Sequence, residues 1–97
     1  MNEAKHTPGP FFTTCPHGGT IYVEARLRGS TIQEVAAVGP TEAPEQQHEN
    51  AKLFAAAPDL LKALEMCIEW MGDRRDISPE SIEAWVKGRY AIAKATQ

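Results

Sequence analysis

The spacing of hydrophobic positions changes near residue 40. From residue 20 to residue 28 the chain alternates, so that one side of an extended backbone carries apolar residues and the other polar residues. The apolar residues are Ile21, Val23, Ala25 and Leu27. Beyond residue 43, alanine, leucine and glutamate dominate, and hydrophobic positions recur every three or four residues. Alternation is typical of a half-buried strand, and the longer spacing is typical of an amphipathic helix. The pattern predicts an α+β chain, strand-rich over residues 1–40 and helical over residues 43–97.

The first part of the chain predicts a three-stranded antiparallel meander over residues 11–38. Its strands cover residues 11–15, 20–28 and 31–38, and the third alternates less clearly than the second. Gly18 and Gly19 can supply the positive φ angles of a tight hairpin turn, and Gly29 falls in the second turn. Two prolines at positions 40 and 44 then end the sheet.

The second part predicts two or three helices, over residues 45–57, 58–72 and 79–95. Pro58 stops or kinks the first helix and fits the first position of the next, whereas Ser78, Pro79 and Glu80 form a helix start. Each helix has an apolar side expected to face the core. The expected positions are Ala51, Leu53, Phe54 and Ala57 in the first helix, Leu60, Leu61, Leu64, Cys67, Ile68 and Met71 in the second, and Ile82, Trp85, Val86 and Ile92 in the third.

Length and composition predict one globular domain spanning residues 1–97. A chain of 97 residues with 42% hydrophobic and 24% charged residues has the composition of an ordinary soluble domain and too few residues for two cores. The sequence has no run of 18 apolar residues and does not begin like a signal peptide. We therefore expect a cytoplasmic protein that does not bind a membrane. Its two cysteines, Cys15 and Cys67, are expected to be free thiols.

Charge and residue spacing argue against several functions. A net charge of −3 argues against a dedicated nucleic-acid binder, which would need a basic face. The histidines and cysteines lack the paired spacing of a zinc site, so no metal or other cofactor is expected. Neither cysteine has an evident activating base, and Cys67 falls on the predicted apolar stripe, where burial would raise a thiol pKa. These observations predict that the protein is not an enzyme.

Two segments offer groups that could bind a small anionic ligand. Residues 17–20 (His17, Gly18, Gly19 and Thr20) bring bare backbone amides, a hydroxyl and an imidazole, although turn chemistry alone favours an ordinary hairpin. Tyr22, Glu24, Arg26 and Arg28 share the polar side of the second predicted strand. An aromatic ring, a carboxylate and two guanidinium groups suit a nucleotide, and the same mixture also suits a solvated strand face. The predicted ligand-binding residues are His17, Gly18, Gly19, Thr20, Tyr22, Arg26 and Arg28.

A surface for self-association is also predicted. The alanine run at residues 55–57 allows another backbone to approach closely, and a three-stranded sheet has two edges and two faces to cover. Trp70 falls off the main apolar stripe of its helix, as a tryptophan at an interface does. We therefore expect a homo-oligomer with Phe54, Ala55 and Trp70 at its interface.

Two boxes in the chain resemble a family of short phage and prophage proteins. The first is His-Thr-Pro-Gly-Pro-Phe at residues 6–11, and the second is Asn-Ala-Lys-Leu-Phe-Ala-Ala-Ala-Pro-Asp-Leu-Leu at residues 50–61. The family pattern continues to an Ala-Ile-Ala-Lys-Ala tail, which stands here at residues 91–95. Phe11, Lys52 and Phe54 depart from the tryptophan, arginine and isoleucine of the pattern. The resemblance implies a phage context and carries over no catalytic residue.

Phage accessory proteins of this size, with a small sheet and helices, include anti-defence sponges that sequester nucleotide signals of Thoeris or CBASS immunity. By this analogy of size and context, we expect a non-catalytic binding protein that captures a small nucleotide immune signal in the cytoplasm of the infected host. The alternative is a phage accessory protein that binds and inhibits a host protein through its acidic helical surface.

Overall fold

Three strands followed by three helices make up the fold, and the α+β prediction is confirmed. The computed structural model describes residues 6–16, 18–74 and 78–97. Both outer bounds of the meander agree with the prediction, but the first two strands are shorter than the alternation suggested. The elements are β1 (Phe11–Thr13), β2 (Ile21–Arg26), β3 (Ile32–Val38), α1 (Pro44–Ala55), α2 (Ala57–Arg74) and α3 (Pro79–Thr96).

The sheet is an antiparallel meander in the order β1-β2-β3. Ile21 pairs with Val38, and Val23 pairs with Ala36, but the next residue of β2, Glu24, pairs with Glu34. β3 therefore contains one extra residue at this point, a β-bulge at position 35. Because side chains alternate between faces, the extra residue reverses the facing of the first half of β3. This explains why β3 alternates less clearly than β2 in the sequence.

The core lies between the sheet and α1. Ile21, Val23 and Ala25 of β2 are buried, and Val23 is 0% exposed. Ala51 of α1 belongs to the same cluster, against which Ala55 packs. The alternation of β2 correctly placed its apolar side chains on one face, and the structure shows that this face is the buried one; Leu27 lies beyond the strand and is exposed.

The side of α1 that faces the sheet differs from the prediction. Leu53 was expected on the core side, but it is 57% exposed. Gln47 is buried instead, and its Nε2 atom donates hydrogen bonds to the carbonyl oxygens of Gly19 (2.8 Å) and Val38 (2.9 Å). A polar side chain is tolerated there because both carbonyls would otherwise lack these donors in a site largely removed from water. Gln47 thus joins α1 to the start of β2 and the end of β3.

The two boxes that resemble phage proteins meet in space. A Cβ atom built on Gly9 would lie 3.0 Å from Cβ of Pro58, so a larger residue at position 9 would force the two segments apart. Phe11, which ends the first box, packs against the cluster that contains Ala51 of the second box. These contacts between the two segments lie within one compact unit, Thr7–Asp59.

The second compact unit contains Leu60–Gln97 and is a pair of antiparallel helices. A Cβ atom on Gly88 of α3 would lie 2.9 Å from Cγ1 of Ile68 and 3.5 Å from Cδ1 of Leu64, and Gly72 lies near Nε1 of Trp85. The hydroxyl of Ser78 accepts a hydrogen bond from the amide of Ser81, which confirms the predicted helix start. No helix among the described residues is long and apolar enough to span a membrane.

Several predicted core positions of this unit are exposed. Leu60 and Cys67 were expected on the buried stripe of α2, but Leu60 is 53% exposed and the Cys67 thiol is also exposed. Ile82 and Val86 of α3 are likewise about half exposed, whereas Trp85 and Ile92 are half-buried. These positions are exposed because each helix packs on a single helical neighbour within the unit, and its apolar stripe is wider than one helix–helix contact can cover.

Candidate functional site

The face of the sheet opposite α1 holds the polar strand residues that the sequence singled out. Directly paired residues of antiparallel strands share a face, so the register assigns each side chain to one side. We define the open sheet face as the residues that alternate away from the buried positions. It consists of Phe12, Tyr22, Glu24, Arg26, Ile32, Glu34 and Ala37.

Aromatic rings and a carboxylate occupy the part of this face nearest β1. Phe12 pairs with Glu24, and Tyr22 lies two residues earlier on β2. All three side chains are half-buried. The backbone of Tyr22 is fixed by hydrogen bonds in both directions with Thr14, whose amide donates to the Tyr22 carbonyl (3.0 Å) and whose hydroxyl accepts from the Tyr22 amide (3.2 Å). These rings offer flat apolar surface for stacking a planar group.

The two arginines lie at the far end of β2. Arg26 is the last residue of the strand, and Arg28 lies in the turn that follows, where its carbonyl accepts a hydrogen bond from the Thr31 amide (3.0 Å). Gly29 supplies the positive φ angle of this turn. Both arginine side chains are exposed. The predicted alternation through Arg28 is therefore wrong, because the strand ends before it and Arg28 has no fixed place on the strand face.

The glycine turn lies at the opposite end of the same strand. Gly18 and Gly19 have φ angles of 61° and 82°, which confirms the predicted hairpin chemistry, and Thr20 precedes β2. Arg26 follows Thr20 by six positions, a distance of about 20 Å along a strand. The structure does not bring the turn and the arginines together, and the Gly19 carbonyl is bonded to Gln47 on the helix side. His17, the fourth predicted residue of the turn, lies outside the described residues.

Sequence inspection missed the contribution of β3 to the open sheet face. Glu34 lies directly opposite Glu24, and Ile32 lies opposite Arg26. Without the bulge, Glu34 would face α1, so no reading of alternation alone could have placed it beside Glu24. This pair concentrates negative charge in the middle of the face. Like charges directly opposite each other also destabilise a sheet. The face is thus positive at its arginine end and negative at its centre.

The predicted interface residues have different surroundings. Trp70 is 58% exposed and Phe54 is 46% exposed, as an interface requires. Ala55 is half-buried and packs against the core of its own unit, so it has little surface left for a partner. Cys15 and Cys67 are both exposed free cysteines, and no group of three or more histidine, cysteine or acidic side chains that could hold a metal occurs within residues 6–16, 18–74 and 78–97.

Comparison with known families identifies the class of this small α+β chain as a phage protein. The model of one family matches all of residues 1–97. That family is described as Salmonella phage P22 protein Y8K6, and the chain belongs to it because the match covers the whole sequence. No curated protein and no solved structure matches the chain. The resemblance to phage proteins expected from the sequence is confirmed at this level.

Proposed function

We propose that this phage protein binds a small anionic nucleotide on its open sheet face and sequesters it without catalysis. The observation that carries the proposal is the order of groups along that face, with Tyr22 at one end, Phe12 beside Glu24 at the centre, and Arg26 at the other end. Arg26 follows Tyr22 by four positions, which corresponds to about 13 Å along the strand. A nucleotide laid along β2 would stack its base on the rings and carry its phosphates to the arginine.

The charges on the face set the direction of the ligand. A phosphate is attracted to the guanidinium groups of Arg26 and Arg28, which can donate paired hydrogen bonds to phosphate oxygens. It is repelled from the centre of the face by Glu24 and Glu34. These carboxylates can instead accept hydrogen bonds from ribose hydroxyls or base amines. In this proposal the ligand therefore lies with a base near Tyr22 and its phosphates near Arg26.

The biological role in this proposal is capture of a nucleotide immune signal made by the infected host. The phage family supplies the context of this role, and the sequence pattern, which pairs no evident acid, base and nucleophile, is the reason for proposing binding rather than turnover. A sheet face alone has no side walls, so a second copy of the chain is expected to enclose the ligand. Self-association and action in the host cytoplasm are parts of this proposal.

The test is ligand retention and release. The purified protein is mixed with ADP-ribose, cyclic ADP-ribose or cyclic dinucleotides, freed of unbound ligand, and heated, and the released nucleotide is measured. We expect intact nucleotide to be recovered after heating. Arg26→Ala should raise the Kd roughly tenfold or more, since a charge-assisted hydrogen bond contributes about 1.5–3 kcal/mol. Lys62→Ala, which removes one exposed positive charge from α2, is the matched control.

Two results would contradict the proposal. One is that no probe is retained, and the other is that Arg26→Ala binds the retained probe as tightly as the unaltered protein. The alternative function, inhibition of a host protein through the helical half, predicts no retained nucleotide and one host protein in a pull-down. The exposed Trp70 supports that alternative.

A further inference from the structure

The pair of helices α2 and α3 leaves one broad side uncovered. Leu61, Leu64, Ile68 and Met71 of α2 are half-buried on the side that contacts α3. Next to this line, α2 carries a second apolar line whose members are all exposed. Its spacing of three and four residues is the same as that of a helix–helix contact. The line consists of Leu60, Ala63, Cys67 and Trp70, with Met66 at its margin.

The same side of α3 carries small residues. Successive residues of a helix are rotated by about 100°, and α3 runs antiparallel to α2, so the two sides of the pair can be read from the sequence positions that touch. On the side of the exposed α2 line, α3 presents Ala84, Ala91 and Ala95, which are all exposed. The larger exposed residues Ile82, Val86 and Tyr90 fall on the opposite side. We call the first side, with the α2 line and the three alanines, the α2–alanine side.

We infer that the α2–alanine side binds a second copy of this chain, so that two helix pairs form a four-helix bundle. A twofold axis parallel to the helices would place α2 of each copy against α3 of the other. Residue heights along the bundle then follow those seen within one chain, where Ile68 lies beside Gly88 and Gly72 beside Trp85. At these heights Leu60 lies within about half a helical turn of Ala95 of the second copy, and Trp70 lies within about one turn of Ala84 of the second copy. Both large side chains therefore lie near an alanine of the second copy.

Size complementarity and charge both favour a second copy over an unrelated partner. Large side chains of one helix pack best into the groove beside small residues of another, and each copy carries both halves of this contact. Asp59 in the first turn of α2 would lie about one helical turn from Lys94 of the second copy, a separation that the long lysine side chain can span, so opposite charges would come together at the edge of the bundle. The twofold axis repeats this pair, so the rim is electrostatically complementary to itself.

The exposed area is consistent with an interface of this kind. Leu60, Met66 and Trp70 are each more than half exposed, and with the neighbouring alanines they present on the order of several hundred Å², as much as the largest apolar patch of a typical monomer. A stable dimer commonly buries roughly 800 Å² per copy, which two helix pairs approach when they pack along their length. The inference stands on the helices alone and does not require the open sheet face to bind a nucleotide.

Sedimentation velocity over a series of protein concentrations tests the bundle. We expect the full-length protein to be a dimer and the tryptophan emission to shift to shorter wavelength as the dimer forms, because Trp70 becomes buried. Ala91→Arg introduces a long charged side chain on the α2–alanine side and should raise the dimer dissociation constant at least tenfold. Val86→Arg places the same side chain on the opposite side of α3 and should remain dimeric.

A charge exchange provides a second test in case Ala91→Arg fails to fold. Asp59→Lys should weaken the dimer a few-fold, and adding Lys94→Asp to the same chain should restore it, since the pair is then reversed rather than broken. Any of four results would overturn the inference: a monomer at every concentration, a dimer that Ala91→Arg leaves intact, a dimer that Val86→Arg disrupts, or a charge exchange without restoration. The inference would also be overturned by a host protein that binds the monomer at Trp70 in place of a second copy.

Discussion

The two compact units differ in how completely they bury their apolar side chains. In the unit Thr7–Asp59, the sheet and α1 enclose a core in which Ile21 is 1% and Val23 is 0% exposed. In the unit that contains Leu60–Gln97, Gly88 is the only buried residue among those described, and six large apolar side chains are about half exposed or more. The second unit is not poorer in apolar residues, so the difference lies in the number of packing partners.

This difference separates two kinds of constraint on the chain. The sheet unit satisfies its own packing, so its open face is free to carry side chains chosen for something other than stability. The helical unit has apolar sides on both flanks of a single helix–helix contact, which a second pair of helices would cover. Stability and binding are therefore expected to respond to substitution in different ways in the two units.

The largest contrast is expected from one substitution made in each unit. Ile21→Ala removes a fully buried side chain from the sheet core and should lower the free energy of unfolding by about 2–5 kcal/mol. Ile82→Ala makes the same chemical change at a position that is 49% exposed, and should alter it by about 0.5 kcal/mol or less. Urea unfolding followed by far-UV circular dichroism measures both. Equal losses would show that the two units are packed alike.

Gln47 tests how the sheet unit is held to α1. Gln47→Ala leaves the carbonyl groups of Gly19 and Val38 without a donor, and should cost about 1–3 kcal/mol of unfolding free energy. Gln46→Ala, one residue earlier and exposed, is the control and should be nearly neutral. Thermal unfolding of the two variants measures the difference. If Gln47→Ala is also neutral, the two hydrogen bonds contribute nothing beyond those that water would make.

Two glycines test the helix contact in the second unit. Gly88→Ala gains helix propensity but forces its new methyl group against Ile68, with a net loss of about 1 kcal/mol. Gly72→Ala meets only an ordinary contact with Trp85 at 3.8 Å, and should stabilise its helix by up to about 1 kcal/mol. Tryptophan fluorescence during urea unfolding reports this unit selectively, since Trp70 and Trp85 both lie in it. Two changes of the same sign would mean that the helices do not approach closely at Gly88.

The sequence predicted the structure correctly where the signal was local or where one regular pattern of apolar residues faces one packing neighbour. The alternation in β2 predicted which of its side chains share a face, and the Ser78-Pro79 start of α3 was predicted because capping chemistry is local. Periodicity wrongly predicted burial at Leu60 and Cys67, which are exposed. The pattern shows that a side of a helix is apolar, and it does not show which element, if any, packs against that side. Periodicity also failed to predict that Gln47 is buried, because the two backbone carbonyls to which this polar side chain donates hydrogen bonds are distant in sequence.

The open sheet face was predictable for β2 and not for β3, for the same kind of reason. Tyr22, Glu24 and Arg26 follow from alternation within one strand. Glu34 reaches the face only through the bulge, which is set by pairing between strands and leaves no local signal. The prediction that Arg26 and Arg28 lie side by side on the strand face was wrong, because β2 ends at Arg26 and a turn with the positive-φ residue Gly29 follows.

The smallest expected effect concerns the two carboxylates at the centre of that face. Glu34→Gln removes one of two like charges that lie directly opposite each other, so it should stabilise the sheet by about 0.2–1 kcal/mol. Glu65→Gln, at an exposed position of α2, is the control for loss of one negative charge and should leave the stability unchanged within about 0.5 kcal/mol. Thermal unfolding at low ionic strength measures this difference, because salt screens exposed charges.

The same variant distinguishes a binding face from an ordinary solvated strand. If Glu34 accepts hydrogen bonds from a bound nucleotide, Glu34→Gln should weaken binding of the retained probe although it stabilises the protein. A strand face under no binding constraint has no reason to keep a repulsive pair that one substitution removes, so opposite changes in stability and affinity would identify the carboxylates as ligand-binding groups. Should stability and affinity rise together, the carboxylates would oppose the ligand, and the phosphates would have to lie nearer to the centre of the face than Arg26.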